Sequence, residues 1–287
     1  MLNEYDCFAL KGGTAINLFF RNMPRLSVDI DLTYLPIEPR DVFLKNITKR
    51  LNELSLSINK SQPFKIQALK TIEQQISKLL VLDNESRIVI EPNFVLRGSV
   101  FDCETKSLCI KAQEEFQTYF KIKTMSFADV YGGKICAALA RQHPRDLFDV
   151  LFLLENEGIT EAIRQAFVIY LASNSRPIHE ILTLNPNLKN MKIIFEEGFM
   201  GMTDVDVSYE SLENIRHELI RIILKTLTNN ERLFLLSVKE GNPNFSLMNI
   251  PGIELLPGLE WKRLNIIKMD KSKHEDAMNK LKNVLQI

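Results

Sequence analysis

Arg25-Leu26-Ser27-Val28-Asp29-Ile30-Asp31-Leu32 alternates polar and apolar side chains from Ser27 onward without a break. On a strand, successive side chains point to opposite faces, so Ser27, Asp29 and Asp31 share one face and Val28, Ile30 and Leu32 the other. The apolar face needs a core behind it. The polar face then carries two carboxylates about 7 Å apart along the backbone, by the usual rise per residue. Like charges held on one rigid strand repel, and a cation between them relieves the repulsion. Hard divalent ions such as Mg²⁺ take oxygen ligands and keep positions for phosphates and waters. Two readings stand side by side here: a metal site, or an acidic strand face turned to solvent.

Just upstream, the apolar run ending at Leu10 stops at Lys11-Gly12-Gly13, and Thr14 is placed to cap a short helix built from Ala15, Ile16, Leu18, Phe19 and Phe20, which Pro24 interrupts. Two glycines at a strand-to-helix junction let backbone N–H groups approach an anion, and Thr14 adds a hydroxyl donor. The spacing is neither that of a P-loop nor that of the dinucleotide fingerprint. Alone, the glycine pair reads as a tight turn. Followed by paired aspartates on the next strand, it reads as a phosphate cradle facing a metal site.

Downstream, residues 41–54 have helical spacing with Val42, Leu44, Ile47, Leu51 and Leu54 on one side. Strands are predicted over 64–69, 76–82 and 87–95, and an edge strand or loop over 100–109. Glu91 ends an apolar strand. It is a candidate third carboxylate for a two-metal clamp, with Asn93 as an alternative on the same face, or simply a charge at a strand end in water. A helix over 126–141 carries Asp129, Lys134 and Arg141, with Ala137 and Ala138 keeping it narrow enough for a ligand to approach. Pro144 starts the next helix and puts Arg145 and Asp146 in its first turn, where an acid is favoured by the dipole. The competing reading of this segment is an amphipathic helix with a solvated basic edge.

From residue 160 onward the spacing is helical, including 210–227 and 230–239, with turns at Asn242-Pro243, Pro251-Gly252 and Pro257-Gly258 before a lysine-rich end. The chain therefore reads as an α+β domain over residues 1–155 followed by a mainly helical domain over 156–287.

The 287 residues suffice to bury a core without metal or disulfide staples. Hydrophobic residues at 45% and charged residues at 25% exclude a disordered or collagen-like chain. Lys plus Arg equals Asp plus Glu, 36 against 36, so nucleic-acid binding would rest on a local patch. No apolar run approaches the roughly 18 residues of a membrane span, and the acidic N-terminal residues do not read as a signal peptide. Cys7, Cys103, Cys109 and Cys136 show no metal or disulfide spacing, which points to a reducing compartment, the cytoplasm.

Taken together, Lys11-Gly12-Gly13-Thr14-Ala15, Arg25-x-Ser27-x-Asp29-Ile30-Asp31-Leu32, the helix bearing Lys134 and the Arg145-Asp146-x-x-Asp149 segment resemble the AbiEii/AbiGii toxin family of the DNA polymerase β-like nucleotidyltransferase superfamily. These motifs cover residues 8–155; Leu227-Thr228-Asn229-Asn230-Glu231-Arg232 and Lys239-Glu240-Gly241 also resemble the family's later portion. One departure is that only eleven residues precede Gly12, where many relatives carry a helix.

The resemblance implies a nucleotidyltransferase-fold mixed sheet with flanking helices. It implies that Asp29 and Asp31 bind catalytic Mg²⁺ or Mn²⁺, with Glu91 as third acid by position and Asp146 as a further catalytic acid. Lys11, Gly12, Gly13, Thr14 and Ser27 would contact the triphosphate of an NTP, and Lys134 and Arg145 would bind phosphate or nucleotide. It further implies transfer of NMP to an acceptor hydroxyl of RNA, the tRNA 3′ end, by the toxin of a toxin–antitoxin or abortive-infection system with a cognate antitoxin. The stretch 262–287, with six Lys and one Arg against three acids, offers a basic surface for such an acceptor, or the solvated face of a terminal helix. A small-molecule nucleotidyltransferase, a protein AMPylase and a non-catalytic interaction protein that keeps the fold are the competing functions. Phosphorylation of Ser27 would place negative charge beside the carboxylates and block NTP binding.

Overall fold

The computed structural model describes residues 2–61, 64–71, 75–183 and 190–287. Residue contacts divide the chain into two compact units, Met1–Ser126 and Phe127–Ile287. Packing thus draws its line ahead of the Lys134-bearing helix, whereas composition had drawn it at residue 155, after the last motif. Residues 184–189, inside the stretch expected to be helical, lie outside the described residues.

The first unit is a seven-stranded mixed sheet. Its strands are β1 (Phe8–Lys11), β2 (Ile30–Tyr34), β3 (Lys65–Lys70), β4 (Ile76–Leu82), β5 (Arg87–Pro92), β6 (Glu104–Ser107) and β7 (Lys121–Thr124). They lie in the order β3-β4-β5-β2-β1-β7-β6. β1 runs antiparallel to β2, and β2 runs parallel to β5, so β2 is a central strand flanked on both sides. α1 (Gly12–Ala15) leaves β1 directly and continues as a π-helical stretch, Ile16–Phe20. α2 (Arg40–Ser61) and α3 (Ile110–Phe116) complete the unit. The last strand, β7, and α3 were not read from the sequence, because a four-residue strand and a two-turn helix offer too few periods to register.

α2 buries Phe43, Ile47, Leu51, Leu54 and Ile58, a stripe at spacings of four, four, three and four. Val42, expected on this stripe, is exposed, and Phe43 takes its place. Tyr34 of β2 meets Phe43 with ring centroids 5.3 Å apart and Phe8 of β1 at 5.9 Å. The sheet face bearing Phe8, Leu10, Leu32 and Tyr34 is therefore the one that α2 covers. Alternation then turns Lys11, Asp31 and Thr33 to the other face. Regular pairing in β2 begins only at Ile30, and Val28, expected to point into the core, is 55% exposed. The apolar face needs its core only from Leu32 onward.

The second unit comprises α4 (Phe127–Arg141), α5 (Pro144–Asn156), α6 (Glu161–Ala172), α7 (Ile178–Ile181), α8 (Met191–Gly198), α9 (Tyr209–Thr226), α10 (Asn229–Glu240), α11 (Pro257–Ile267) and α12 (Lys271–Leu285). α4 and α6 pack so tightly that a Cβ on Gly132 would lie 2.7 Å from Ala166 Cβ and from the backbone nitrogen of Phe167. Ala138 is fully buried, so it serves helix packing rather than keeping the helix narrow for a ligand. Pro257-Gly258, expected as a turn, opens α11, with proline at a helix start where its missing N–H is no loss. α10 begins with a capping box between Thr228 and Glu231, and Glu231 also takes both oxygens to Arg164 Nε at 3.0 Å.

Candidate functional site

The junction of β1 and α1 is built around close approach. Gly12 has φ of +72°, a backbone state that glycine adopts without strain. A Cβ there would stand 2.3 Å from Oδ2 of Asp31, so the glycine is what lets the carboxylate rest against the turn. A Cβ on Gly13 would meet Arg25 Nη2 at 2.6 Å and Ser27 Oγ at 3.0 Å. The two glycines thus form a surface against which an acid, a guanidinium and a hydroxyl are all seated.

Thr14 was expected to cap the helix, but the helix already starts at Gly12, and no side chain caps it. The Thr14 hydroxyl instead donates to the backbone oxygen of Asp29 and lies 3.1 Å from Ser27 Oγ. It ties the helix start to the strand that carries the aspartates. Asn17, fully buried, donates from Nδ2 to the Gly13 carbonyl at 2.9 Å and holds the turn from the other side. Arg25, 3% exposed, donates from Nη1 to the carbonyl of its neighbour Leu26 at 2.8 Å. Sequence reading missed the parts played by Asn17 and Arg25. The signal available was a polar side chain inside an apolar helix and an arginine two residues before the acidic strand.

Asp31 sits in a row of charges running across the sheet. Lys11 is its register partner on β1, and Glu91 is its partner on the parallel strand β5. Asp29 immediately precedes β2 and is exposed; Asp31 is half-buried. Asp31 Oδ2 lies against the glycine turn and Asp29 stands two residues earlier in the chain; carboxylate oxygens are the kind of donor that a hard divalent ion takes beside phosphates and water. Glu91, the register partner of Asp31, is paired with a lysine. Its carboxylate is 2.7 Å from Lys78 Nζ on β4, and among the described residues no three His, Cys, Asp or Glu side chains gather as a metal cluster. The Lys78–Glu91 pair is well exposed on both sides, so its Coulomb energy is small and it exchanges readily. A separate cavity lined by Tyr5, Phe8, Leu10, Leu32, Ile122 and Lys123 involves none of the expected site residues.

Lys134, Arg145 and Asp146 belong to the second unit. Lys134, expected as a phosphate ligand with little bearing on folding, is buried and bonded through Nζ to Asp146 at 2.8 Å and Asp149 at 2.9 Å. Arg141, exposed at the end of α4, adds a fork to Asp146, with Nε at 2.6 Å from Oδ2 and Nη2 at 3.1 Å from Oδ1. Burial works against the Asp146 charge, yet the Lys134 and Arg141 cations outweigh it and hold the carboxyl well below the ordinary carboxylate range. His143 caps α5 by accepting the Arg145 N–H on Nδ1 at 3.1 Å. Burial first, and then the cations Arg145, Arg141 and Lys134 against Asp146, pushes its imidazole down to about 4. Asp129, in the first turn of α4, accepts the Tyr170 hydroxyl at 2.6 Å.

The model of the family described as nucleotidyl transferase AbiEii toxin, type IV toxin–antitoxin system, matches residues 3–221, which include every candidate residue above. No curated protein matches the sequence. Among solved structures the chain is similar to the nucleotidyltransferase toxin MenT4 from Mycobacterium tuberculosis H37Rv. That likeness has a TM-score of 0.58 at 14% identity, over 97% of this chain and 84% of that one, and it is a likeness of fold. No helix of the described residues is long and apolar enough to cross a membrane.

Proposed function

The chain belongs to the AbiEii nucleotidyl transferase toxins of type IV toxin–antitoxin systems and is a nucleotidyltransferase, and from that premise we propose that it transfers NMP from an NTP to a hydroxyl of an RNA acceptor, the 3′ end of a tRNA. The observation that carries the site assignment is the contact between Gly12 and Asp31, which leaves no room for a Cβ. A carboxylate pressed against a glycine turn brings an acid to the same small volume as backbone N–H groups, the Thr14 and Ser27 hydroxyls and Lys11.

In this reading the Gly12–Thr14 backbone, Lys11, Thr14 and Ser27 bind and orient the triphosphate. Asp29 and Asp31 would hold Mg²⁺ or Mn²⁺, which when bound supplies positive charge to the phosphoryl oxygens and to the acceptor oxygen. The acceptor oxygen forms a bond to the α-phosphorus, the bond from that phosphorus to the bridging oxygen breaks, and pyrophosphate leaves. Glu91, turned from Lys78, accepts the acceptor hydroxyl's proton on a carboxylate oxygen. Lys134 and Arg145 are the residues that the family offers for phosphate or nucleotide, with Asp146, bonded to Lys134 Nζ at 2.8 Å, as a further catalytic acid. The motif-bearing portion is residues 1–155 and the helical portion 156–287. Support for an RNA acceptor comes from the exposed lysines Lys268, Lys271, Lys273, Lys280 and Lys282 toward the C-terminal end. The toxin family supports a cognate antitoxin as protein partner and cytoplasmic action.

The test incubates purified protein with each labelled NTP, Mg²⁺ or Mn²⁺ and total RNA, beside Asp29→Asn and Asp31→Asn proteins. Label in an RNA band that both substitutions abolish, with the circular dichroism spectrum unchanged, is the expected result. Label on a protein or small molecule would reassign the acceptor, and full activity in Asp29→Asn would remove the metal assignment.

A further inference from the structure

Two lysine ammonium groups are buried in the helical unit without a carboxylate at ion-pair distance among the described residues. Lys239, in the last turn of α10, is 7% exposed, and its Nζ is paired with the thioether sulfur of Met269 at 3.5 Å. Lys262 of α11, also 7% exposed, donates to the backbone oxygens of Asn174 at 2.6 Å and Arg176 at 3.1 Å. An ammonium has three donors and a thioether is a weak acceptor, so Met269 satisfies Lys239 poorly. The C-terminal dipole of α10 favours a cation at this turn, but it is a fractional charge and no substitute for a counter-ion.

His274 of α12 engages the Lys239 carbonyl through Nε2 at 2.7 Å. The acids that approach are already engaged, Glu180 with Arg176 at 3.5 Å and Asp276 with Lys280 at 2.6 Å. Among the described residues neither acid stands at ion-pair distance from Lys239 or Lys262. Burial alone draws the Lys239 ammonium below its ordinary value, with no neighbouring acid to oppose it. Lys262 is pushed down to about 8, by burial first and by the charge of Lys239 second, against Cys136 and Glu180. His179 of α7 is drawn down as well, by burial first and then by Lys280 and Lys239 against Glu180 and Asp276.

We propose that Lys239, with Lys262 behind it, is an anion site that takes a phosphate group, separate from the glycine turn and its aspartates. A phosphate oxygen accepts from the donors that Met269 leaves poorly satisfied and supplies the negative charge that Lys239 and Lys262 lack. The phosphate belongs either to a free phosphate ion or to a phosphodiester of RNA, and the two are separated by the probes below. The site stands whether or not the nucleotidyl-transfer mechanism proposed above is right.

The full chain is heated in rising inorganic phosphate at constant ionic strength set with sodium chloride, beside Lys239→Met and Lys239→Gln. The expected result is a saturable rise in Tm for the native chain, with the apparent affinity at least tenfold weaker in both variants. A short single-stranded RNA that produces the same Lys239-dependent rise at lower concentration than phosphate assigns the site to a phosphodiester; a rise with phosphate alone assigns it to the free ion. An identical, non-saturating rise in all three proteins would overturn the site. So would failure of both variants to fold, because it would show that the apo chain already compensates this cation.

Discussion

Gly12 and Asp31 occupy one another's space: the direction in which any other residue at position 12 would grow leads to Asp31 Oδ2 at 2.3 Å. Gly12→Ala must therefore move the carboxylate, and it also places a Cβ on a left-handed backbone, a strain of about 1–3 kcal/mol. Transfer activity is expected to fall at least about a hundredfold, since a misplacement of an ångström at a reacting group costs that much, while circular dichroism retains the fold. Activity within twofold of the native protein would show that Asp31 is not held by the turn.

Lys134 neutralises two buried carboxylates at once. Lys134→Met leaves Asp146 with the exposed Arg141 and leaves Asp149 buried without this partner. Removing one side of a buried ion pair costs about 3–5 kcal/mol, read as a fall in the urea midpoint at unchanged slope. Adding Asp146→Asn should recover part of it, because the stranded charge goes with its partner. A Lys134→Met protein as stable as the native one would mean that water reaches the pair.

Stability should fall with acid in two windows. His143 has a folded-state value of about 4 against 6.5 unfolded, so the unfolded chain takes up a proton that the native cap refuses. Its contribution is complete above pH 6.5 and is lost between 6.5 and about 4, at no more than about 1.4 kcal/mol per pH unit. Asp146 is depressed below its ordinary 3.8, so its contribution is complete above that value and is lost only below it. His143→Asn keeps a cap acceptor without a titrating ring. It should flatten the upper window and leave the lower one, as followed by urea unfolding at stepped pH. An unchanged slope between pH 6.5 and 4 would assign that loss to another group.

Ser27 Oγ lies 3.1 Å from the Thr14 hydroxyl and close against Gly13. Ser27→Asp brings a third negative charge to the place where a triphosphate is proposed to bind, and so imitates phosphorylation there. NTP use is expected to drop by more than about tenfold, roughly the 1.4 kcal/mol of one unfavourable charge contact, while Ser27→Ala changes it far less. A fully active Ser27→Asp protein would take the phosphoregulation idea away.

Local rules were legible in the chain. β4 runs over Ile76–Leu82 as the apolar run predicts, because one strand's boundaries are marked by turn residues beside it. The proline at 144 acts within one helical turn and starts the helix it should. The stripe on α2 was misread at one position, Val42, because Val42 and Phe43 are both apolar and Phe43 is the one that packs inward against Tyr34.

Alternation and glycine placement, both local, put Asp31 on the polar face of its strand and the glycine pair at the turn before it from the sequence alone. Tertiary structure decided which partner each charge has: Glu91 with Lys78, Lys134 with Asp146 and Asp149, Asp31 against Gly12. The reason is physical. Strand and helix periodicity depend on neighbours a few residues away, whereas the energy of a charge depends on what approaches it within a few ångströms, and those groups arrive from distant parts of the chain only when it folds.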